Sequence, residues 1–96
     1  MSADFSSIQN ANERFVFNAV MDAAPSYPAL AENDERLADV ACVALGRLPP
    51  RYIRHPVDYA FFLTDKEREQ TARQVAEAVA FAFHFVQARE AMGARG

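Results

Sequence analysis

Apolar residues recur at helical spacing in three segments of the chain. In the first segment, positions three, four and seven residues apart share one side of a helix; they are Ile8, Phe15, Val16, Ala19, Val20 and Ala23. The sequences Ser6-x-x-Gln9 and Asn10-x-x-Glu13 both fit the capping box, in which paired side chains bind free amides at a helix start. Pro25 cannot continue a helix. The pattern therefore predicts a first helix from Asn10 to Ala24.

The second segment carries an unbroken apolar stripe, formed by Leu37, Val40, Ala41, Ala44, Leu45 and Leu48. Asn33 or Asp34 can cap the start of this helix, and Pro49 and Pro50 prevent it from continuing. Gly46 is predicted to adopt the left-handed conformation that commonly follows a helix end. A second small or apolar face predicts a central helix with neighbours on more than one side; it comprises Ala38, Cys42 and Val43.

The third segment follows a stretch without helical rhythm. Residues Pro49 to Leu63 mix proline, aromatic and β-branched residues, so we expect them to be extended. Thr64-Asp65-Lys66-Glu67 then forms another capping box, and the helix that it opens should reach about Ala91. Its apolar stripe consists of Ala72, Val75, Ala76, Val79, Ala82, Phe83 and Val86. Phe81 and Phe85 lie on a different face, which either a wide core contact or a dimer interface would cover.

These elements predict an all-α protein, a compact single domain of three to four helices with an extended Pro-Pro segment between the second and last helix. We assign residues 1–9 to a flexible N-terminus, 10–91 to the helical domain and 92–96 to a flexible C-terminal tail. A chain of 96 residues hides only about two-thirds of its unfolded surface, and this one carries eight Phe and three Tyr. We therefore expect a homodimer that covers the remaining apolar area.

The formal charge of the chain is -3, which offers no general attraction to nucleic acid or anionic lipid. The longest strongly apolar stretch, Val75 to Val86, contains Glu77 and His84 and is shorter than the roughly 20 residues that span a bilayer. The first residues lack the basic start and apolar run of a signal peptide. We expect a cytoplasmic protein that binds neither DNA nor membranes.

Catalytic and metal sites have little support in the sequence. Cys42 is the one cysteine, and its place among small helical residues favours a packed core thiol. His84, on an apolar helix, fits a hydrogen-bonded core or interface residue, and His55 fits a solvated loop residue or a ligand contact. Neither histidine lies near a glycine-rich loop or paired carboxylates. Acidic residues 32–39 match no metal-binding loop. We predict no catalytic residue, metal or cofactor.

Positive charge is concentrated between residues 46 and 57, where Arg47, Arg51 and Arg54 occur without any acidic residue. A guanidinium group is always charged, binds phosphate or carboxylate through paired hydrogen bonds, and stacks on flat rings. Tyr52 adds a stacking surface in a segment that two prolines stiffen. The combination favours a nucleotide-like anion as ligand.

A simpler interpretation of the same residues stays open. Arginines at a helix C-terminus complement the helix dipole, and Tyr52 can fill a gap in the core with its hydroxyl bonded to the backbone. Loop arginines also need no ligand, because water solvates them. On residue types alone, this is the more common case.

The segment Asp39 to Ile53 contains a motif that resembles the late competence development protein ComFB family. Members of that family typically carry an Asp-Val start, an Ala-Leu-Asn end and the sequence Leu-Pro-Pro-x-Tyr. The matching residues are Asp39, Val40, Ala44, Leu45, Leu48, Pro49, Pro50 and Tyr52, with Gly46 in place of the usual Asn. Asn10-x-x-Glu13-x-x-Val16 is similar to the family's first helix, so the likeness runs from residue 10 to residue 90.

This resemblance implies a compact helical fold, commonly a homodimer, that binds cyclic dinucleotide second messengers, chiefly cyclic di-GMP, and has no enzymatic activity. Several members bind zinc through cysteines just before the Asp-Val pair. Ala31, Asn33 and Arg36 occupy that region here, so the zinc site is not expected in this chain.

The residue chemistry and the resemblance lead to the same segment. We expect a cyclic di-GMP receptor that relays binding to a downstream protein. In this hypothesis Arg47, Arg51 and Arg54 contact the phosphates or the guanine edge, and Tyr52 stacks on the ligand or positions it. The alternative is a ligand-independent protein–protein interaction module that uses the last helix and the Leu-Pro-Pro turn. An enzyme acting on nucleotides has the least support, because the sequence offers no base or metal site.

Overall fold

The first predicted helix forms as α1 (Asn12–Ala23), and a short 3-10 helix over Ala24–Ser26 continues it. The structure is a computed structural model that describes residues 2–95. Val16 and Val20 are buried on the inward side of α1. The proline at position 25 falls at the start of the 3-10 helix, where a missing backbone N–H costs nothing.

The start of α1 differs from the prediction, because neither expected capping box forms. Ala11 occupies the N-cap position, and its side chain cannot accept a hydrogen bond. The preceding residues instead form strand β1 (Gln9–Asn10), which lies antiparallel to strand β2 (Tyr52–Ile53). A long-range pairing therefore replaces the local cap, and a pattern within four residues cannot predict it.

Helix α2 (Asp34–Gly46) is capped by Asn33, whose side chain accepts the backbone N–H of Arg36 at 3.1 Å, as predicted. The prediction of a left-handed Gly46 is wrong. Gly46 is the last residue of α2, and none of residues 2–95 has a positive φ. The chain leaves the helix through a tightened turn, in which the N–H of Arg47 donates to the carbonyl of Ala44 at 3.1 Å.

The prediction that residues 49–63 are extended is only partly correct. Besides strand β2, the segment forms helix α3 (Pro56–Phe62), and the N–H of Tyr59 donates to the carbonyl of His55 at 3.0 Å. Pro56 occupies the first turn, a position that proline favours because its φ suits a helix and its absent N–H would be unpaired there. No residue of α3 is fully buried, and Pro56 and Tyr59 are half-buried.

Helix α4 (Asp65–Arg95) begins with the predicted capping box. The N–H of Glu67 donates to the hydroxyl of Thr64 at 3.1 Å, and the N–H of Thr64 donates to the Glu67 carboxylate at 3.2 Å. The predicted end near Ala91 is wrong, because the helix continues to Arg95. The predicted flexible termini include Met1 and Gly96, which lie outside the described residues.

Helices α1, α2 and α4 pack pairwise around one core, with α2 and α4 in the broadest contact. Phe83 is fully buried and stacks on Tyr27, with ring centroids 4.1 Å apart. Most of the other buried members come from the predicted stripes; they are Val16, Val20, Leu37, Val40, Ala41, Ala44, Val75, Val79, Ala82 and Val86. Ala24, Leu30 and Ala78 are buried as well, although no predicted stripe included them. The prediction is wrong for Ile8, Ala72 and Ala76, which are exposed. Four α-helices and one two-stranded sheet over residues 2–95 confirm the all-α class.

Several apolar groups remain at the surface. Cys42 is exposed, so its prediction as a core thiol is wrong: α1 and α4 cover the other side of α2, where Leu37, Val40 and Ala44 lie. The rings of Phe81 and Phe85 stay 41% and 42% exposed, which the predicted wide core contact does not explain.

Among residues 2–95 no helix combines the length and the apolar character needed to cross a membrane.

Candidate functional site

The arginine segment after α2 is anchored to the start of α1 by backbone and side-chain hydrogen bonds. The Asn10 side-chain oxygen accepts the N–H groups of both Asn12 and Arg51, each at 3.1 Å. The N–H of Ala11 donates to the Arg51 carbonyl, and the Asn12 amide donates to the carbonyl of Pro49 at 2.9 Å. These bonds hold residues 49–51 in place, although the side chains of the segment are mostly exposed.

Arg47 and Arg51 are each oriented by an aromatic ring. The guanidinium carbon of Arg47 lies 3.7 Å from the centre of the Phe81 ring on α4. Arg51 donates a hydrogen bond of 2.9 Å to the hydroxyl of Tyr59 on α3, with its guanidinium 5.8 Å from the ring centre. A guanidinium over an aromatic face keeps its edge free for further hydrogen bonds. Both side chains therefore stay able to bind an anion.

Tyr52 and Arg54 do not share the contacts that orient Arg47 and Arg51. Tyr52 belongs to β2 opposite Asn10 and is 70% exposed, and Arg54 is also exposed. Ile53 between them is half-buried, as expected when side chains alternate along an extended chain. The alternative in which Tyr52 fills a gap in the core is wrong. Both side chains project into solvent beside the anchored segment.

Two clefts flank the Leu48–Pro49 turn and share a wall. The Arg51 cleft, of about 150 Å³, is lined by Asn12, Pro50, Arg51, Tyr59, Thr71 and Gln74, among others. The Arg47 cleft, of about 210 Å³, is lined by Arg47, Gln74, Glu77 and Ala78. Leu48, Pro49 and Gln74 line both clefts. The structure thus brings Arg47 and Arg51 to adjacent sites, while Tyr52 and Arg54 line neither cleft.

Four further residues at the clefts were not predicted from the sequence: Tyr59, Thr71, Gln74 and Glu77. Thr71, Gln74 and Glu77 lie three residues apart on α4, on a side that the apolar stripe does not use. Nothing in the local pattern distinguishes them from other exposed helix residues. The segment that they face lies twenty or more positions earlier in the chain, so only the packing of α2 against α4 reveals their role.

The charge of Arg51 also affects the pKa of Glu67 at the start of α4. Hydrogen bonds from the backbone and side chain of Thr64 lower the pKa of Glu67, and the nearby Arg51 guanidinium lowers it further. Desolvation acts in the opposite direction, raising the pKa by more than Arg51 lowers it. The capping carboxylate is therefore held in its charged form mainly by the local cap, and Arg51 of the candidate site makes the smallest contribution.

A third and larger cavity, of about 300 Å³, lies under α3 between α1 and α4. Its walls are mainly apolar and include Phe15, Ala19, Leu63, Ala72, Val75 and Ala76. Arg68 closes one side by donating to the carbonyls of Ala60, at 2.8 Å, and Leu63, at 3.3 Å. These bonds satisfy the C-terminal carbonyls of α3. The cavity contains none of the predicted site residues.

The two histidines and the cysteine do not gather into a reactive site. His55 occupies the N-cap position of α3 and is exposed. His84 is also exposed, with its ring edge-on to Tyr27 at 5.7 Å, so the core alternative for this residue is wrong and the interface alternative stays a prediction. Within residues 2–95, no three His, Cys, Asp or Glu side chains are close enough together to hold a metal ion.

Comparison with known proteins identifies the family. The family model described as late competence development protein ComFB matches residues 9–90, which is most of the chain. No curated protein and no solved structure matches the chain. The matched region spans β1, α1, α2, α4 as far as residue 90, the Leu48–Pro49 turn and both clefts. The chain therefore belongs to the late competence development protein ComFB family, a membership that indicates a competence-related regulatory protein.

Proposed function

We propose that this protein is a non-enzymatic receptor for a cyclic dinucleotide second messenger, cyclic di-GMP, and that it relays binding to a downstream protein partner. One observation carries the proposal: Arg47 and Arg51 line adjacent clefts on the two sides of a rigid, anchored turn. Two fixed cations at adjacent clefts suit a ligand with two phosphates. The proposal includes a cytoplasmic homodimer, in which a second copy doubles the number of available arginines.

The sizes of the clefts favour a ligand that straddles the turn. Neither the Arg51 cleft nor the Arg47 cleft can enclose a molecule with two guanines and two phosphates. A macrocycle placed over Leu48 and Pro49 would border both clefts, where each guanidinium group can bind a phosphate oxygen or the O6 and N7 atoms of guanine. Tyr52 and Arg54 project beside this position, where Tyr52 can stack on a base and Arg54 can bind a phosphate.

Calorimetric titration with cyclic di-GMP tests the proposal. We expect binding at micromolar or lower concentration, and a loss of at least tenfold in affinity in the Arg47→Ala, Arg51→Ala double variant. The matched control is Arg14→Ala, Arg73→Ala, which removes the same charge from exposed positions on α1 and α4 outside both clefts. Absence of heat at micromolar concentrations, or equal affinity of the two double variants, would contradict a ligand site at the clefts.

A protein–protein interaction module is the second candidate, and helix α3 supports it. Val57, Phe61 and Phe62 are 80%, 78% and 77% exposed, which is unusual for side chains of this size. In this alternative the exposed face of α3 binds a partner without any nucleotide. It predicts a thermal unfolding midpoint that cyclic dinucleotides leave unchanged, and a partner pull-down that they do not affect.

A further inference from the structure

We infer that Glu77 recognises the guanine base and makes the Arg47 cleft prefer cyclic di-GMP to cyclic di-AMP. This inference rests on the proposed function, and it adds the residue that selects the base. Arginine contacts to the phosphates cannot select between the two ligands, because both carry the same phosphodiester ring. A selective receptor needs a group that contacts the base edge.

Glu77 is placed for this role by the helical period of α4. Gln74, Glu77 and Phe81 are spaced by three and four residues, so they lie along one face of the helix. The guanidinium of Arg47 lies 3.7 Å over the Phe81 ring at one end of this row. Glu77 and Gln74 line the cleft that Arg47 borders. An acceptor, an amide and a cation therefore surround a space of about 210 Å³.

The carboxylate of Glu77 is free to accept hydrogen bonds. It forms no ion pair with any described residue, although Arg47 borders the same cleft. A carboxylate can only accept, and its two oxygens suit a pair of parallel donors. Guanine presents such a pair, N1–H and N2–H, along its Watson–Crick edge. Adenine presents an acceptor at N1 and a donor at N6, so one Glu77 oxygen would face a lone pair.

The charge of Glu77 makes the inference testable, because base recognition and simple repulsion predict opposite changes in affinity when the charge is removed. A carboxylate that lies near an anionic ligand without bonding to it repels that ligand, whichever base is attached. Replacing it with a neutral amide would then strengthen the binding of both dinucleotides. A carboxylate that binds guanine has the opposite effect, since its loss weakens binding of cyclic di-GMP. Glutamine, with one donor and one acceptor, instead matches adenine.

The experiment is a calorimetric titration of the full chain with cyclic di-GMP and with cyclic di-AMP. We expect Glu77→Gln to weaken cyclic di-GMP binding by about tenfold or more and to leave cyclic di-AMP binding unchanged or stronger. Glu69→Gln is the matched control, because Glu69 is exposed on the same helix and lines neither cleft. It should preserve the affinity for both ligands within about twofold.

Three results would overturn the inference. In the first, Glu77→Gln binds both dinucleotides as tightly as the unchanged chain or more tightly. Glu77 would then only repel the ligand, and the proposed function would stand. In the second, Glu77→Gln lowers the affinity for both ligands by the same factor. Glu77 would then have a structural role, and the proposed function would again stand. Failure of the unchanged chain to bind either dinucleotide contradicts the proposed function itself. If Glu77→Gln does not fold, Glu77→Asp replaces it, and this variant should weaken binding but retain the preference for cyclic di-GMP.

Discussion

The guanidinium of Arg51 donates a hydrogen bond of 2.9 Å to the hydroxyl of Tyr59, which joins the candidate site to helix α3. Helix α3 buries no residue fully, and this bond and those from Arg68 connect it to residues outside the helix. A ligand phosphate that binds Nη1 of Arg51 competes with the Tyr59 hydroxyl for this donor. Binding at the Arg51 cleft can therefore change the stability of α3, whose exposed face carries Phe61 and Phe62.

The Tyr59→Phe substitution removes this hydrogen bond and little else. We expect amide hydrogen exchange in α3 to become about 3- to 10-fold faster, because one modest hydrogen bond no longer opposes its local opening. Mass spectrometry of peptides that cover residues 56–62 measures this rate. Tyr52→Phe is the control, because Tyr52 is 70% exposed and lies in β2. Equal exchange in both variants would mean that Arg51 does not hold α3.

Asn10 should be more important for stability than its place at the edge of the fold suggests. Its side-chain oxygen accepts two backbone N–H groups, from Asn12 and Arg51. Asn10→Ala should lower the free energy of unfolding by about 1–2 kcal/mol, since both donors lose their partner. Chemical denaturation measures the change. Asn18→Ala, at an exposed position in α1, should be neutral or slightly stabilising, and a similar loss there would contradict the anchoring role of Asn10.

Phe83 should be the most sensitive position of α4. Its side chain is fully buried and stacks on Tyr27 at 4.1 Å. Phe83→Ala should cost about 3–5 kcal/mol of stability, from lost apolar burial and the cavity that remains. Phe62→Ala should stay within about 0.5 kcal/mol of the unchanged protein, because Phe62 is 77% exposed. The midpoints of denaturant unfolding should therefore differ between the two variants. Similar midpoints would contradict the assignment of Phe83 to the core.

Gly46→Ala distinguishes the helical from the left-handed conformation at the end of α2. Gly46 has a negative φ, and a methyl group added there meets no atom within 4 Å. Alanine should therefore stabilise the protein by about 0.4–1 kcal/mol, because it restricts the unfolded chain and fits the helix. In a domain of this size, thermal unfolding should show an increase of a few degrees. A decrease would indicate a left-handed Gly46.

The capping box of α4 should make stability depend on pH in the acidic range. Hydrogen bonds with Thr64 and the charge of Arg51 lower the pKa of Glu67 from its ordinary value of 4.5. A lowered pKa in the folded state means that the charged cap stabilises the protein above pH 4.5 and loses this effect as the pH falls further. Glu67→Gln keeps an acceptor oxygen without the charge.

Thermal unfolding of the unchanged protein and of Glu67→Gln tests this dependence. The unchanged protein should unfold at the higher temperature at pH 7, and the difference should shrink towards pH 3. Glu69→Gln, on the same helix and without a capping bond, serves as the charge control. A difference that stays constant from pH 7 to pH 3 would exclude a role for the Glu67 charge in the cap.

Sequence alone determined the features of this protein that depend on neighbours within a few residues. The apolar stripes of α1, α2 and α4 follow from the helical period, and so does most of the core, apart from Ala24, Leu30 and Ala78. The Asn33 cap and the Thr64–Glu67 capping box were predicted correctly, because both partners of each bond lie within one helical turn. The concentration of arginines after α2 is visible for the same reason.

Tertiary structure alone decided the features that depend on distant residues. The side chain of Asn10 bonds to Arg51, 41 positions away, although its local pattern predicts a helix cap. Cys42 is exposed because α1 and α4 cover a different side of α2, which local spacing cannot show. Arg47 meets Phe81, and Glu77 joins the same cleft, only because α2 packs against α4. Local chemistry thus supplies the arginines, and helix packing decides which residues surround them.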